Sequence, residues 1–361
     1  MRRRIALILA CIMCLTLVLT ACSTDKSQES SNVSSENGEE VTNENNNSPK
    51  TEEELWKEEP MYGKTIKIGY NGGFCTSAPG MAMVLGYFEE EGIDVEILAV
   101  NKEEDALGTN QVQVVTGHIA SLLVPAVNGV NMVFTSGAHT GCKSLYVLND
   151  GKINSTLDLI GKTVAVPNGI GDSDHNIGLR FLNHDGIDIK DVKFKPVETS
   201  AVILAMENGE VQGAVLSDQF AEKFLDEGKL KRIRSLTYDE DLKTEACCAH
   251  ALNGDFVREN PITAKKVTRA IKRAARWIQN NPKEATELLF ENNWASGDFD
   301  IVLRMVEDCY FGIDDEMTET TLRNVINDYK EFNIITTGED TEEILDRVWN
   351  PILGEEDKEI K

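Results

Sequence analysis

Short apolar strands alternate with helices along most of this chain, and the alternation occurs twice. The first series begins with a strand at Lys64–Tyr70, a glycine-rich loop at Asn71–Ser77 and an apolar helix that Pro79 opens. The second begins with a strand at Thr163–Val166, a glycine-containing turn and a helix that starts near His175. Such alternation is typical of a mostly parallel sheet with helices on its faces. The sequence therefore predicts an α/β fold made of two successive units.

The sequence that follows these two units indicates how the units are connected. An extended segment near Ala246–Leu252 is a candidate strand that returns from the second unit to the first. Farther on, apolar residues recur at spacings of three and four between Ala264 and Ile278, which places them on one face of a helix. Lysines and arginines fill the other face. We interpret it as a solvated face, because 61 acidic against 36 basic residues give a net charge of −25 that repels nucleic acid.

The N-terminus has the features of a bacterial lipoprotein signal. Three arginines precede an apolar run at Ile5–Leu19, which is shorter than the roughly 20 residues that span a bilayer. The run ends in Leu-Thr-Ala-Cys22, a tetrapeptide that resembles the lipobox, in which the cysteine is lipidated. A plain signal peptide with a cysteine near its cleavage site is the alternative. Residues 22–60 contain eleven acidic and three basic residues and few apolar ones, so we predict a disordered tether.

These patterns divide the chain into five predicted segments. They are a signal peptide at 1–21, an acidic tether at 22–60, a first lobe at 61–150, a second lobe at 151–247, and a return to the first lobe with C-terminal helices at 248–361.

Three sequence elements carry a resemblance to a known family. Asp158–Val166 (DLIGKTVAV) leads through a glycine-containing turn into a helix, and Ala205–Val215 (AMENGEVQGAV) leads into a strand. With the buried strand, Thr-Gly and helix within Val95–Leu123, this order resembles the solute-binding proteins of ABC importers for nitrate, sulfonates, taurine and thiamine-pyrimidine precursors. The chain departs from the family pattern at Gln212, where an aspartate is usual.

The resemblance covers about Lys64–Asn281 and implies a fold and a function. The fold is α/β, two-lobed and periplasmic-binding-protein-like (type II), with two hinge crossings and a helical C-terminal part. The function is non-enzymatic and needs no cofactor: a lipoprotein anchored at Cys22 captures a small organic solute between its lobes and delivers it to an ABC permease. We expect a monomer at the outer face of the cytoplasmic membrane, as in Gram-positive members.

Two other functions remain open. One is a metal or metal-complex binding protein. The other is an enzyme like the iron-dependent thiamine-pyrimidine synthases, whose cysteine-rich motif this chain matches only at Cys247 and Cys248.

The loops after the strands are expected to line the cleft between the lobes. The candidate solute ligands there are Asn71, Gly73, Phe74, Thr116, His118, His139, Cys142, Asp172, Ser173, Asp174, His175 and Asp218. Three of them are carboxylates that would repel nitrate or a sulfonate. A solute with a cationic or hydrogen-bond-donating group is therefore an equally good candidate.

Cysteines and histidines also occur in these segments. The five cysteines beyond the signal and the lipobox are an odd number, so at least one thiol is free. Thiolate and imidazole are ligands for zinc and iron, and the candidate metal ligands are His139, Cys142, His175, Cys247, Cys248 and His250. No spacing matches a metal motif, and buried cysteines commonly serve as small apolar residues. We therefore predict no metal site and keep metal binding as the alternative.

Overall fold

The computed structural model describes residues 49–360. The predicted signal peptide, Cys22 and most of the tether lie outside these residues. Within them the chain forms strands β1 Ile66–Gly69, β2 Val95–Leu98, β3 Val114–His118, β4 Met132–Thr140, β5 Lys143–Leu148, β6 Thr163–Ala165, β7 Lys193–Lys195, β8 Gly213–Ser217, β9 Leu230–Ser235 and β10 Ala246–Asn253.

The helices of the described residues are α1 Glu52–Trp56, α2 Ala78–Val84, α3 Tyr87–Glu90, α4 Glu103–Gly108, α5 Ile119–Val127, α6 Ser173–His184, α7 Val202–Glu207, α8 Asp218–Asp226, α9 Gly254–Glu259, α10 Pro261–Asn280, α11 Pro282–Glu291, α12 Phe299–Asp308, α13 Asp315–Glu331 and α14 Thr341–Val348. Short 3-10 turns occur at Thr156–Leu159, Ile189–Asp191, Thr199–Ala201 and Gly354–Lys358. None of the helices in this part of the chain is both long and apolar enough to span a membrane.

Two five-stranded sheets organise the fold and confirm the predicted α/β class. The first has the strand order β2-β1-β3-β10-β4, and the second has the order β7-β6-β8-β5-β9. We call them lobe 1 and lobe 2, each with the helices that cover it. In both sheets the early strands pair in parallel, and a strand from a crossing enters antiparallel beside them. The chain passes between the sheets twice, at Gly141–Cys142 and between β9 and β10.

The helical C-terminal part packs mainly on lobe 1. The apolar face predicted between Ala264 and Ile278 is fully buried on α10, which packs against α2 and β4. The basic face of α10 pairs with acidic side chains of the same protein: Arg269 bonds to Glu91, and Arg273 bonds to Glu90. These ion pairs account for the basic stripe.

The structure corrects the predicted end of the tether. Residues 52–56 form α1, which Thr51 caps through a reciprocal hydrogen bond with Glu54. Trp56 is buried, and its indole N–H donates to the Thr263 hydroxyl over 3.0 Å. The carboxylate of Glu59 accepts the free N–H groups at the start of α10. The charge pattern suggested disorder here, but a single tryptophan and a helix N-terminus anchor the segment on lobe 1.

The structure also corrects two strands near the first crossing. β4 continues to Thr140, so His139, expected in a loop after a strand, lies within a strand paired with β10. β5, which the sequence analysis placed in the first lobe, pairs with β8 and β9 in the second sheet. Two residues suffice to carry the chain from one sheet to the other, because Gly141 and Cys142 both adopt a positive φ.

Candidate functional site

The two lobes meet along a seam where helices begin directly after strands. α5 follows β3 in lobe 1, and α6 follows β6 in lobe 2. The side-chain amide of Asn176 on α6 donates to the carbonyl of Ala120 on α5 over 2.8 Å. A cavity of about 20 Å³ remains between the lobes, lined in part by Ala120, Ile177, Leu236 and Cys247. The lobes are therefore closed on each other at this seam.

Three thiols and one imidazole converge beside the seam, and we call His118, Cys142, Cys247 and Cys248 the thiol cluster. The Sγ atoms of Cys142 and Cys247 are 3.4 Å apart. His118 Nδ1 lies 3.3 Å from Cys247 Sγ and 3.5 Å from Cys248 Sγ. All four potential ligand atoms lie within 4.8 Å of one another. The three cysteines are buried and His118 is half-buried, so the cluster is a compact set of soft ligands screened from solvent.

A β-bulge allows two adjacent cysteines to join this cluster. Neighbouring residues of a regular strand point to opposite faces, so Cys247 and Cys248 would normally diverge. The pairing of β10 with β4 shifts register on both sides of Cys248, which breaks that alternation. Both thiols consequently reach His118, at the end of β3.

Backbone bonds from lobe 2 hold Cys142 in place. Its φ is +88°, in the left-handed region that side chains other than glycine rarely adopt. Its N–H donates to the Thr237 hydroxyl, and its carbonyl accepts from the N–H of Asp218, both over 2.9 Å. The first crossing is thus fixed with the Cys142 thiol turned toward the cluster.

The three thiols of the cluster differ in the direction in which their pKa values are shifted. Hydrogen bonds from Cys142 and Cys248 lower the pKa of Cys247 to about 6. The corresponding bond to Cys247 raises the pKa of Cys142, and burial raises that of Cys248. Burial, helped by the charge of Lys143, lowers the pKa of His118 to about 3. The cluster therefore contains one thiol that releases its proton more readily than the other two, beside a neutral imidazole.

A second, overlapping set lies on the other side of Cys142. Ligand atoms of Cys75, His139 and Cys142 lie within 4.8 Å of one another. His139 is fully buried, and its Nδ1–H donates to the Thr140 carbonyl over 2.8 Å. Its Nε2 atom is buried and has no hydrogen-bond partner among the described residues.

Lobe 2 contributes a contrasting set of polar groups, which we call the lobe-2 network: Lys143, Tyr146, Asp174, Asp218 and Thr237. Lys143 forms a buried ion pair with Asp174 at the start of α6. Burial opposes the ammonium charge, but the carboxylate of Asp174 outweighs it and raises the pKa of Lys143. The carboxylate of Asp218 accepts hydrogen bonds from Tyr146 and Thr237. Every member has a strong partner inside the protein.

Several predicted solute ligands are likewise occupied by bonds within the chain. Asn71 bonds through its amide to the backbone of Val100, and the N–H of Gly73 donates to the Trp294 carbonyl. Phe74 is buried in the apolar core of the protein. Thr116 pairs with His250 Nδ1 over 2.7 Å, and His250 is not in either group of clustered ligand atoms among the described residues. Asn71 is the only exposed residue of this group.

The predicted ligands at the start of α6 have local structural roles. Asp172 caps the helix by accepting from the N–H of Ser173, and the Ser173 hydroxyl accepts from Asn168. His175 contacts the edge of Phe194, with ring centroids 4.9 Å apart, and its Nδ1 accepts from the N–H of Gly171. His175 is not part of the thiol cluster, so the structure does not bring all the predicted metal ligands together.

Sequence reasoning missed Lys143 and Arg180, two buried cations at the seam. Arg180 on α6 donates to Asp328 on α13 over 2.6 Å and to Glu245 in the second crossing over 2.8 Å. It thereby ties lobe 2 to both the crossing and the C-terminal helices. Lys143 begins the apolar strand β5, and Arg180 lies on the buried face of α6. A charged residue at a position predicted to be buried is the sequence signal that could have identified them.

Comparison with known structures places this seam in a familiar class of fold. The chain is similar to the periplasmic aliphatic sulphonate binding protein SsuA from Escherichia coli, with 15% identity, a TM-score of 0.65 and coverage of 80% of this chain and 92% of that one. It is similar to the periplasmic nitrate-binding protein NrtA from Synechocystis PCC 6803, with 14% identity, a TM-score of 0.65 and coverage of 82% and 88%. These likenesses confirm the two-lobed, periplasmic-binding-protein-like fold.

The same fold also occurs in an enzyme. The desulfurization enzyme DSZB has 14% identity, a TM-score of 0.58 and coverage of 80% of this chain and 96% of its own. No curated protein matches the chain in sequence. The model of the NMT1/THI5-like family matches residues 80–285, which is more than half of the chain. The chain therefore belongs to the NMT1/THI5-like family, and its resemblance to solute-binding proteins of ABC importers is confirmed.

Proposed function

We propose that this protein is the extracytoplasmic solute-binding lipoprotein of an ABC importer. It is anchored through lipid on Cys22, captures a small solute where its lobes meet, and delivers the solute to a membrane permease. One observation carries the proposal: the two lobes and the second crossing meet at a seam, where Asn176 bonds to Ala120 and Arg180 bonds to Glu245. Sulfonate-binding and nitrate-binding proteins of the same fold support it.

The arrangement of the seam suits capture by closure. Asn176 and Arg180 reach from lobe 2 to groups of lobe 1, the second crossing and the C-terminal helices. Two short crossings can act as hinges around which the lobes separate and close. Opening at the seam would expose His118, Cys247 and the starts of α5 and α6 to a solute.

The carboxylates near the seam do not restrict the solute to cations. Asp172 caps a helix, Asp174 pairs with Lys143, and Asp218 accepts from Tyr146 and Thr237. The charge of Asp174 is balanced by a cation, and the carboxylates of Asp172 and Asp218 accept hydrogen bonds within the protein. The bias against an anion that the sequence suggested is therefore reduced, and oxyanions belong in the panel of test solutes.

A thermal-shift panel of amines, pyrimidines, sulfonates and nitrate, applied to the full chain in detergent, tests the capture of a solute. We expect one chemical class to raise the melting temperature and to bind with micromolar or tighter affinity. Asn176→Ala should weaken that binding, because it removes a bond between the lobes. Asn208→Ala is the control, because Asn208 is exposed at the end of α7 in lobe 2 and should leave binding unchanged. A panel without any binder, or equal effects of the two variants, would argue against capture at the seam.

Metabolic labelling with a fatty acid tests the anchor. The full chain should incorporate the label and remain in the membrane fraction, and Cys22→Ala should abolish both. Cys14→Ala, inside the apolar run, is the matched control and should retain the label. Label that survives Cys22→Ala would exclude this cysteine as the lipidation site.

A further inference from the structure

We infer that the thiol cluster binds one thiophilic divalent cation, with His118, Cys142, Cys247 and Cys248 as its ligands. The inference rests on the proposed function in one respect, since it places the ion at the seam where the solute is captured. The four residues differ from the set that the sequence suggested: His118 joins, whereas His139, His175 and His250 are not among them.

The spacing of the four ligand atoms matches a tetrahedral site. Zinc bonds of about 2.3 Å to sulfur place two sulfur ligands about 3.8 Å apart, and the nitrogen of a histidine slightly closer. The Cys142–Cys247 distance is 3.4 Å, the His118 distances are 3.3 and 3.5 Å, and no pair exceeds 4.8 Å. Small side-chain rotations would bring all four atoms to a common centre.

The number and type of ligands favour a soft ion. Three sulfurs and one imidazole form a set that suits Zn²⁺ and similar ions, whereas calcium and magnesium require oxygen. The other described groups beside the cluster, Lys143 and Asp174, are already paired with each other. A purely structural cluster of buried polar groups would be expected to satisfy itself as the lobe-2 network does. Here sulfurs bond only weakly to one another and to a single nitrogen.

Charge at the site is compatible with a bound cation. Each thiol that is protonated before binding releases its proton to the solvent, so that three thiolates and one Zn²⁺ leave a charge of −1. The ion would join β3, the first crossing and β10, and it would therefore stabilise the junction between the lobes.

The space at the seam is too small for a large organic molecule in the closed state. The cavity there is about 20 Å³, whereas pockets for drug-sized ligands start at about 300 Å³. Of the thiol cluster only Cys247 lines this cavity, so the proposed ion lies beside it, among the four ligand atoms. His118 is the half-buried member of the cluster.

Titration of Zn²⁺ into the full chain, purified in detergent and reduced with a non-thiol reductant, tests the inference. We expect one Zn²⁺ per chain and, with Co²⁺ in its place, the thiolate-to-metal charge-transfer bands of a tetrahedral sulfur-rich site. Cys247→Ser and His118→Gln should each weaken Zn²⁺ binding at least about 100-fold, since loss of even an outer-shell partner costs 10- to 100-fold.

Two matched variants separate the cluster from general effects of thiol loss. Cys309→Ser removes a buried free thiol outside the cluster, and Cys75→Ser removes the thiol of the overlapping set. Both should bind Zn²⁺ as the unaltered chain does. Circular dichroism of each metal-free variant shows whether the variant is folded. A folded variant that lacks the Co²⁺ charge-transfer bands has therefore lost the metal site and not the fold.

Specific results would overturn the inference. They are the absence of stoichiometric Zn²⁺, equal binding by Cys247→Ser and Cys309→Ser, or a Cys142–Cys247 disulfide that forms in place of metal binding in non-reduced chain. The thermal-shift panel on the same preparation distinguishes the two proposals. An organic solute that binds while Zn²⁺ does not would overturn only the metal site, and failure of both would also overturn the proposed capture of a solute.

Discussion

The thiol cluster and the lobe-2 network begin at consecutive residues, Cys142 and Lys143, yet they satisfy their polar atoms differently. In the lobe-2 network an ammonium meets a carboxylate, and a second carboxylate accepts two hydroxyl groups. In the thiol cluster, three sulfurs and one nitrogen exchange weak hydrogen bonds. The polar groups of the lobe-2 network are all paired within the protein. The sulfur and nitrogen atoms of the thiol cluster make only weak bonds and can still bind a ligand.

This difference separates a structural role from a binding role. Unpaired charge is costly in a protein interior, so a complete network contributes mainly to the stability of its lobe. Thiols tolerate weak bonding because they are nearly apolar when protonated. A cluster of them can therefore remain folded without a ligand and still bind a soft ion. Three changes test this comparison, in order of decreasing effect.

The largest effect is expected for Asp174→Asn, which leaves the buried ammonium of Lys143 without its counter-ion. Removing one partner of a buried pair costs about 3–5 kcal/mol, so the free energy of unfolding in urea should fall by that amount. Asp150→Asn breaks an exposed pair with Lys152 and serves as the control, with no measurable change expected. If Asp174→Asn lowered the free energy of unfolding only slightly, the lobe-2 network would not have the stabilising role proposed for it.

An intermediate effect is expected for Asp315, a carboxylate whose oxygens lack hydrogen-bond partners although they are buried. Burial, together with the charge of Asp357, raises the pKa of Asp315 to about 6 from 3.8. Between these values the folded state binds more protons than the unfolded state. Its stability should therefore fall as pH rises from about 4 to 6, by at most about 1.4 kcal/mol per pH unit.

Asp315→Asn should remove this pH dependence and raise the free energy of unfolding at pH 7. Urea unfolding of both proteins at a series of pH values from 4 to 7 measures the effect. Parallel curves would show that Asp315 is ionised at no cost in the folded state. An isolated buried carboxylate such as Asp315 avoids an unpaired charge by staying protonated, which the thiol cluster does not need to do.

The smallest effect on stability is expected for Cys247→Ser in the metal-free chain. The substitution replaces weak sulfur hydrogen bonds with those of a hydroxyl, so the free energy of unfolding should change by no more than about 1 kcal/mol. Cys309→Ser provides the scale for a buried thiol without cluster partners. If Cys247→Ser were as destabilising as Asp174→Asn, the thiol cluster would be a structural network and the contrast between the two groups would disappear.

Much of the fold could be predicted because its signals are local. Strand–helix alternation, the glycine-rich turns and the apolar face of α10 all lie within short windows of sequence, and each predicted the correct element type. The boundaries failed where long-range pairing decides them. β4 extends through His139 because β10 is there to pair with it, and residues 52–56 are ordered because Trp56 reaches the Thr263 hydroxyl.

The candidate site was less accessible to prediction. The sequence indicated that cysteines and histidines lie near the crossings, and His118, Cys142, Cys247 and Cys248 were all among the candidates. It could not predict which of them would cluster. In the structure His250 forms a hydrogen bond with Thr116, and His175 packs against Phe194. Asp174 was expected to face a solute, but Lys143 holds it. Such partners are far apart in the chain and leave no periodic signal.

The sequence by itself determined the class of fold, the helical C-terminal part and the inventory of soft ligands, because composition and periodicity specify which segments must be buried. Only the tertiary structure decided which ligands meet. Cys142 and Cys247 are separated by 105 positions, and the bulge that turns Cys247 and Cys248 to the same side exists only when β10 pairs with β4. Convergence of this kind depends on strand register, and register is set by pairing partners from distant parts of the chain.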